Sequence, residues 1–76
     1  MINYKKVVDW IAVINLAIYQ GKGRYSHMAA CDLHSLQKVA NLIIEGNLKK
    51  AFKIAGDVDT SVRDSIPTAI YDEISP

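Results

Sequence analysis

Residues 7–19, VVDWIAVINLAIY, form the longest and most apolar run of the chain, and only two polar residues interrupt it. Asn3 has a side chain suited to capping the start of a helix, and Gly21 is the residue type that ends helices in a left-handed conformation. These signals predict a helix from Tyr4 to about Gln20. The later helices are predicted to be shorter, so we expect them to bury their apolar faces against this one.

On a wheel of about 100° per residue, this first helix has one wide apolar arc and two apolar residues outside it. Val13 and Leu16 fall among the polar residues instead. Asn15 lies at the edge of the arc, and if it is buried its amide needs hydrogen-bond partners. The arc itself consists of Tyr4, Val7, Trp10, Ile11, Ile14 and Ile18. A helix that is apolar nearly all round is either central in its domain or covered by a partner on its second face.

A second helix is predicted to begin at Leu33 and to end at Gly46, after a connector formed by residues 21–27. Asp32 is its expected N-cap, because on a continuous wheel Asp32 would otherwise lie inside the apolar arc. Residues 28–30 could add a preceding helical turn. The predicted buried face of this helix contains Leu33, Leu36, Val39, Ala40, Ile43 and Ile44.

Three shorter helices are predicted in the remainder of the chain. Asn47 is the expected cap of a helix from Leu48 to Ala55, which should form an antiparallel hairpin with the second helix. Pro67 disfavours helix at the residue before it and suits the first position of a new helix. We therefore predict one helix from the cap Asp59 to Ser65 and another from Pro67 to Glu73 or Ile74. No alternating pattern long enough for a strand is present.

The sequence thus predicts an all-α fold, a compact bundle of four to five short helices around a long apolar N-terminal helix. We expect a single helical domain over residues 1–76, because the chain is too short for two. Apolar residues make up 50% of the 76 residues, which is more than a small monomer can hide in its own core. Exposed apolar patches usually mark interfaces, so we expect a homo-oligomer.

Cysteine usage and targeting signals bear on localisation. Cys31 is the single cysteine, so no intramolecular disulfide can form, a pattern typical of the reducing cytosol. We find no basic segment followed by an apolar stretch with a small-residue cleavage site, and therefore expect no signal peptide. The apolar run is shorter than the about 20 residues that span a bilayer. We expect a cytoplasmic protein that does not contact membranes.

His27, Cys31 and His34 are residue types that bind zinc, spaced four and three apart. On one continuous helix they would share a face. However, a helix that starts at Asp32 would break this alignment, and no second cluster supplies a fourth ligand. We expect two solvated histidines and a half-buried thiol, with neither a metal nor another cofactor.

The connector contains the sequence Gly-Lys-Gly-Arg-Tyr at residues 21–25. A glycine-rich, cationic loop before a helix could bind a phosphate through backbone N–H groups, with Arg24 making a bidentate contact and Lys22 adding charge. The stretch lacks the P-loop pattern, and no strand precedes it. An exposed loop kept soluble by its charges is an equally good interpretation.

Lys49, Lys50 and Lys53 share one face of the predicted third helix. Together with Lys38, Lys22 and Arg24 they could form a basic patch for nucleic acid. Against this, the sequence pI is about 7.9, and residues 57–76 contain five acidic residues against one basic residue. An ordinary solvated helix face is the simpler interpretation.

Tyr19 and Tyr25 flank the glycine-containing loop at the end of the most apolar helix. Tyrosine and arginine are enriched among interface hot spots, so Val13, Leu16, Tyr19, Arg24 and Tyr25 are our predicted protein-binding residues. Alternatively, the two tyrosines cover one end of the core. By position, Tyr4, Trp10, Phe52 and Tyr71 are expected in the core.

These observations predict a small non-enzymatic module that binds another protein and acts as a homo-oligomer. By analogy of size and charge pattern, such proteins are often regulators, inhibitors or adaptors, including ones encoded by phages. No base is paired with a nucleophile at a recognisable spacing, so we do not expect an enzyme. The alternative is a nucleotide- or nucleic-acid-binding protein that uses Lys22, Arg24, Lys49, Lys50 and Lys53.

Overall fold

A computed structural model describes residues 2–21, 24–25, 27–58 and 60–75. The described residues form an all-helical globule without strands, as the sequence predicts. The five helices are α1 (Tyr4–Gln20), α2 (Ala30–Ile44), α3 (Leu48–Asp57), α4 (Thr60–Asp64) and α5 (Thr68–Ile74).

The bounds predicted for α1 are confirmed. The Asn3 side chain accepts a hydrogen bond from the backbone N–H of Lys6 at 3.3 Å, which satisfies one of the N–H groups left free at a helix start. At the other end Gly21 is left-handed, with a φ of 63°, a conformation that side chains with a Cβ disfavour. The residues that α1 buries are Val7, Trp10, Ile14 and Ala17.

The central helix of the fold is α2, so the expected central position of α1 is not confirmed. α2 packs against α1, α3 and α4, whereas α1 packs mainly against α2. This follows from the residues of α2, whose buried side chains point in several directions around the helix. They are Leu33, Leu36, Val39, Ala40, Leu42 and Ile43.

Three details of α2 differ from the prediction. The helix begins at Ala30, one turn earlier than expected, and Asp32 lies in its first turn rather than capping it. A carboxylate is favourable there because it faces the positive end of the helix dipole. Leu42 is buried while Ile44 is 38% exposed, because α2 contacts helices on more than the one face that the wheel assigned to its core.

The turn after α2 has the predicted glycine. Gly46 adopts a φ of 85°, and its N–H donates to the carbonyl of Ile43 at 3.0 Å. The N–H of Asn47 donates to the carbonyl of Leu42 at 2.9 Å. These two bonds make a Schellman motif, which reverses the chain into α3. Asn47 sits at the N-cap position of α3, but its side chain makes no capping hydrogen bond.

Pro67 separates α4 from α5, as predicted. Its carbonyl accepts hydrogen bonds from the N–H groups of Ile70 and Tyr71, both at 2.9 Å, so that Pro67 initiates α5 from the N-cap position. The break lets apolar residues spaced four apart all reach the core, which one straight helix would not allow. Val62, Ile66, Ile70 and Ile74 are buried. The predicted cap Asp59 lies outside the described residues.

Two leucines provide a matched test of this core. Leu36 of α2 is fully buried, whereas Leu16 of α1 is 38% exposed. We expect Leu36→Ala to lower the free energy of unfolding by about 2–5 kcal/mol, because it leaves a cavity. Leu16→Ala should cost about 1 kcal/mol or less. Urea unfolding followed by circular dichroism measures both, and equal costs would contradict the assigned position of α2.

Candidate interaction surface

A chain of two hydrogen bonds connects α1, the connector and the end of α4. The indole Nε1–H of Trp10 donates to the hydroxyl of Tyr25 at 3.3 Å, and that hydroxyl donates to the carbonyl of Ser65 at 3.0 Å. Tyr25 is only 5% exposed. Its ring therefore closes one end of the core, and its hydroxyl supplies the partner that the buried indole N–H of Trp10 requires.

Beside this hydrogen-bonded chain lies a surface depression of about 410 Å³, here called the α1 groove. Two charged residues of opposite sign, Asp9 and Arg24, belong to its lining, and both are exposed. Neither forms an ion pair with another residue in the described part of the chain. The remainder of the lining is apolar or aromatic and consists of Trp10, Val13, Leu16, Tyr25 and Pro67.

The α1 groove brings together four of the five predicted protein-binding residues, namely Val13, Leu16, Arg24 and Tyr25. Val13 is partly buried against the core and Leu16 is exposed. Tyr25 was predicted either to bind a partner or to cover one end of the core, and it is buried, with its hydroxyl bonded within the molecule. It can offer a partner only the part of its ring that lines the groove. Tyr19 does not line the groove.

The sequence did not identify three residues of the groove. Trp10 was assigned to the core alone, Pro67 to helix initiation and Asp9 to the polar face of α1. The helical wheel does place Asp9 and Val13 close together, about 40° apart. Pro67 had no such signal, because its position beside α1 depends on how the last two helices pack.

A second part of α1 is also exposed and largely apolar. Val8 is 56% exposed and Tyr19 is 76% exposed. Tyr4, which was expected in the core, is 50% exposed because it lies at the edge of the apolar arc. With Ala12 and Leu16, which are also exposed, these residues follow one another at spacings of four or three. We call Tyr4, Val8, Ala12, Leu16 and Tyr19 the apolar stripe.

The lysines of α3 lie on one exposed face, as predicted, and line a different depression from that of Arg24. Their depression also contains Asn47, Ile54 and Asp57. The described structure therefore does not bring Arg24 into one site with Lys49, Lys50 and Lys53. Lys22, the other cation proposed for this site, lies outside the described residues.

The histidines and the thiol are exposed, and Cys31 lies close to its neighbour Asp32, with 3.9 Å between Sγ and Oδ1. Because α2 begins at Ala30, Cys31 and His34 belong to the same helix, contrary to the expectation that Asp32 would separate them. Within the described ranges, no group of three or more His, Cys, Asp or Glu residues is arranged to hold a metal ion.

No described helix is long and apolar enough to cross a membrane. Comparison with known proteins found no matching family model and no significantly similar curated protein or solved structure. Function therefore has to be inferred from the chemistry of the exposed groups.

Two tyrosines test the hydrogen-bonded chain. Tyr25→Phe removes the hydroxyl that serves Trp10 and Ser65, so we expect it to lower the free energy of unfolding by about 1–3 kcal/mol. Tyr19→Phe, at an exposed position, should change it by no more than about 0.5 kcal/mol. Urea titrations monitored by Trp10 fluorescence measure both. If the two substitutions were equally mild, the hydroxyl of Tyr25 would not have the role assigned to it.

Proposed function

We propose that this protein is a small, non-enzymatic protein-binding module that recognises its target through the α1 groove and itself self-associates. The observation that supports the proposal is the grouping of the exposed Leu16 and Arg24 with the partly buried Val13 around one depression. Arginine is one of the residue types that most often dominate binding energy at protein interfaces.

The groove suggests the chemistry of the target. Its apolar lining favours an aliphatic or aromatic side chain, whose burial contributes roughly 25 cal/mol per Å². The guanidinium of Arg24 is exposed and without an ion pair among the described residues, so it is available for a carboxylate. Asp9, also exposed, would attract a cation. A peptide segment with an apolar residue between an acidic and a basic residue fits this lining best.

A protein that binds a target through one groove can block the target or recruit it to another molecule without catalysing a reaction. Such binding would make this protein a regulator, inhibitor or adaptor. We place this activity in the cytoplasm. The support is the exposed free thiol of Cys31, since oxidising compartments tend to convert such thiols to disulfides.

Charge reversal provides the test. We expect Arg24→Glu to abolish capture of the target from extracts of the source cells, because it replaces attraction for a carboxylate with repulsion. Lys38→Glu is the matched control, since Lys38 is an exposed cation of α2 and does not line the groove. Affinity capture followed by quantitative mass spectrometry compares each variant with the wild type.

The proposal requires a target that is retained by wild type and Lys38→Glu but lost with Arg24→Glu. Capture that is unchanged by Arg24→Glu, or lost equally with both variants, would exclude recognition through the groove. Circular dichroism should report the same helix content for all three proteins, because both substituted residues are exposed.

Binding of a nucleotide or nucleic acid is the second candidate, and the charges at the start of α3 favour it. Lys49 and Lys50 lie in the first turn of α3, where no acidic residue accompanies them. Cations are unfavourable at this end of a helix, by roughly 0.3–1 kcal/mol each, because the helix dipole is positive there. Lys53 is exposed near them. An anionic ligand would relieve this repulsion.

This second candidate predicts strong salt dependence. If the lysines bind nucleic acid, affinity for a fluorescent oligonucleotide should fall steeply between about 50 and 200 mM salt. Replacing both Lys49 and Lys50 with alanine should weaken binding further, whereas Lys38→Ala should change it little, because Lys38 does not line the depression of the α3 lysines. Fluorescence anisotropy measures the affinities, and the absence of any salt-sensitive binding would eliminate this function.

A further inference from the structure

We propose that self-association occurs through a two-fold symmetric contact in which the apolar stripe of one subunit packs antiparallel against the stripe of a second copy. This inference depends on the self-association proposed above and specifies its surface and geometry. It does not depend on the identity of any target bound in the α1 groove.

The shape of the stripe suits packing against a helix. Tyr4, Val8, Ala12 and Leu16 are each four residues apart, so they form one continuous ridge that is inclined to the helix axis. Two helices that pack through such surfaces stay in contact over several turns when they cross at about 20°. α1 has 17 residues and is therefore about 25 Å long at 1.5 Å per residue. The contact can extend over much of a subunit whose largest dimension is 32 Å.

The stripe is complementary to itself when the two copies run antiparallel. With the two-fold axis at Ala12, Val8 faces Leu16 of the partner subunit, and Lys5 faces Tyr19 of the partner subunit. Ala12 then faces its own copy, and its small side chain lets the two helix backbones approach closely. Each exposed apolar side chain near the axis thus meets an apolar side chain, and Lys5 can lie over an aromatic ring.

Charge also favours a second copy as the occupant. The chain has a formal net charge of +1, so two copies repel each other only weakly. Lys5 and Asp9, the charged residues beside the stripe, have opposite signs. A strongly acidic or strongly basic partner would find no matching charge on this surface, whereas a second copy presents both signs in the same arrangement.

The area available is sufficient for a weak dimer. Tyr4 and Tyr19 are 50% and 76% exposed, and a tyrosine can bury about 150–250 Å². The two rings alone therefore offer on the order of 200–300 Å² per subunit. With Val8 and Leu16 the contact approaches the lower end of specific interfaces, roughly 1,000 Å² in total. We therefore expect dissociation constants in the micromolar range or weaker.

The α1 groove stays accessible in this arrangement. On the helical wheel Val13 lies about 100° from Ala12, the residue at the two-fold axis, and Trp10 lies further round. Arg24 and Pro67 belong to other segments of the chain. Leu16 belongs to both surfaces, and Asp9 lines the groove and lies beside the stripe. Dimerisation and target binding can therefore be measured and disrupted separately.

Disulfide crosslinking tests the geometry. In a Cys31→Ser background, which removes the native thiol, we expect Ala12→Cys to give a covalent dimer under mild oxidation, because the two cysteines meet at the axis. Lys5→Cys is the matched control at an exposed position of the same helix. In the antiparallel dimer the two cysteines at position 5 would lie about 14 residues, or about 21 Å, apart along the helix axis. They should therefore not crosslink. Mixing Lys5→Cys with Tyr19→Cys should restore a crosslink between the two variants.

Several results would overturn the inference. Failure of Ala12→Cys to crosslink at protein concentrations of hundreds of micromolar would exclude the axis at Ala12. Equal crosslinking of Ala12→Cys and Lys5→Cys would indicate a parallel or nonspecific encounter. None of these outcomes would argue against target binding in the groove, because that function is tested separately with Arg24→Glu.

A second measurement does not depend on cysteines. In sedimentation equilibrium, we expect Val8→Glu to weaken dimerisation by at least about tenfold, because it places a carboxylate in the apolar contact. Lys38→Glu, an equally exposed substitution outside the stripe, should leave it unchanged. A wild type that remains a monomer of 8.4 kDa at several hundred micromolar would refute self-association, while capture of a target through the groove could still be observed.

Discussion

α1 packs mainly against one other helix, and this arrangement leaves much of its apolar surface exposed. α1 is apolar nearly all round, yet it packs mainly against α2, and Tyr25 covers part of the remainder, where its hydroxyl accepts a hydrogen bond from Trp10. Two surfaces of α1 are therefore left to solvent, the α1 groove on one side and the apolar stripe on the other. The accessible surface of 4800 Å² is close to the about 4600 Å² expected for a folded chain of this mass. The subunit is therefore not loosely packed, and most of its exposed large apolar side chains lie on α1.

The hydrogen bond between Asn15 and Gln37 fixes how α1 and α2 align. The Gln37 amide donates to the Asn15 side-chain oxygen at 2.9 Å, which supplies the partner that a part-buried amide requires. Ile18 and Leu33 line one depression near the next turn, so the two helices run antiparallel. Val8 lies seven residues before Asn15, and Ile44 lies seven residues after Gln37. In two antiparallel helices these positions are side by side, and both residues are exposed. The apolar surface thus continues from the stripe towards the end of α2.

Features that depend on local chemistry could be predicted from the sequence. The bounds of α1 follow from Asn3 and Gly21, and the reversal after α2 follows from Gly46. The division of the last segment follows from the missing N–H and restricted φ of Pro67. Each of these signals acts within a few residues, so tertiary packing had little opportunity to override it.

Features that depend on which helices meet could not be predicted in the same way. The helical wheel gives the direction of each side chain but not whether another helix covers that direction, and so Tyr4 was assigned to the core and Leu42 was not. Tyr25 lies in a connector without periodicity, where no pattern indicates that its hydroxyl reaches Ser65. The groove has the same origin, because Pro67 comes to lie beside residues far away in sequence only when the last helices have packed.

If two copies associate through the apolar stripe on α1, dilution should return the side chains of the stripe to solvent. The most direct measurement follows backbone amide chemical shifts by NMR as the protein is diluted from millimolar to low micromolar concentration. We expect concentration-dependent shifts at Val8, Ala12 and Leu16, with little change along α3 and α5. Spectra that do not change on dilution, or shifts confined to the lysine face of α3, would contradict association through the stripe.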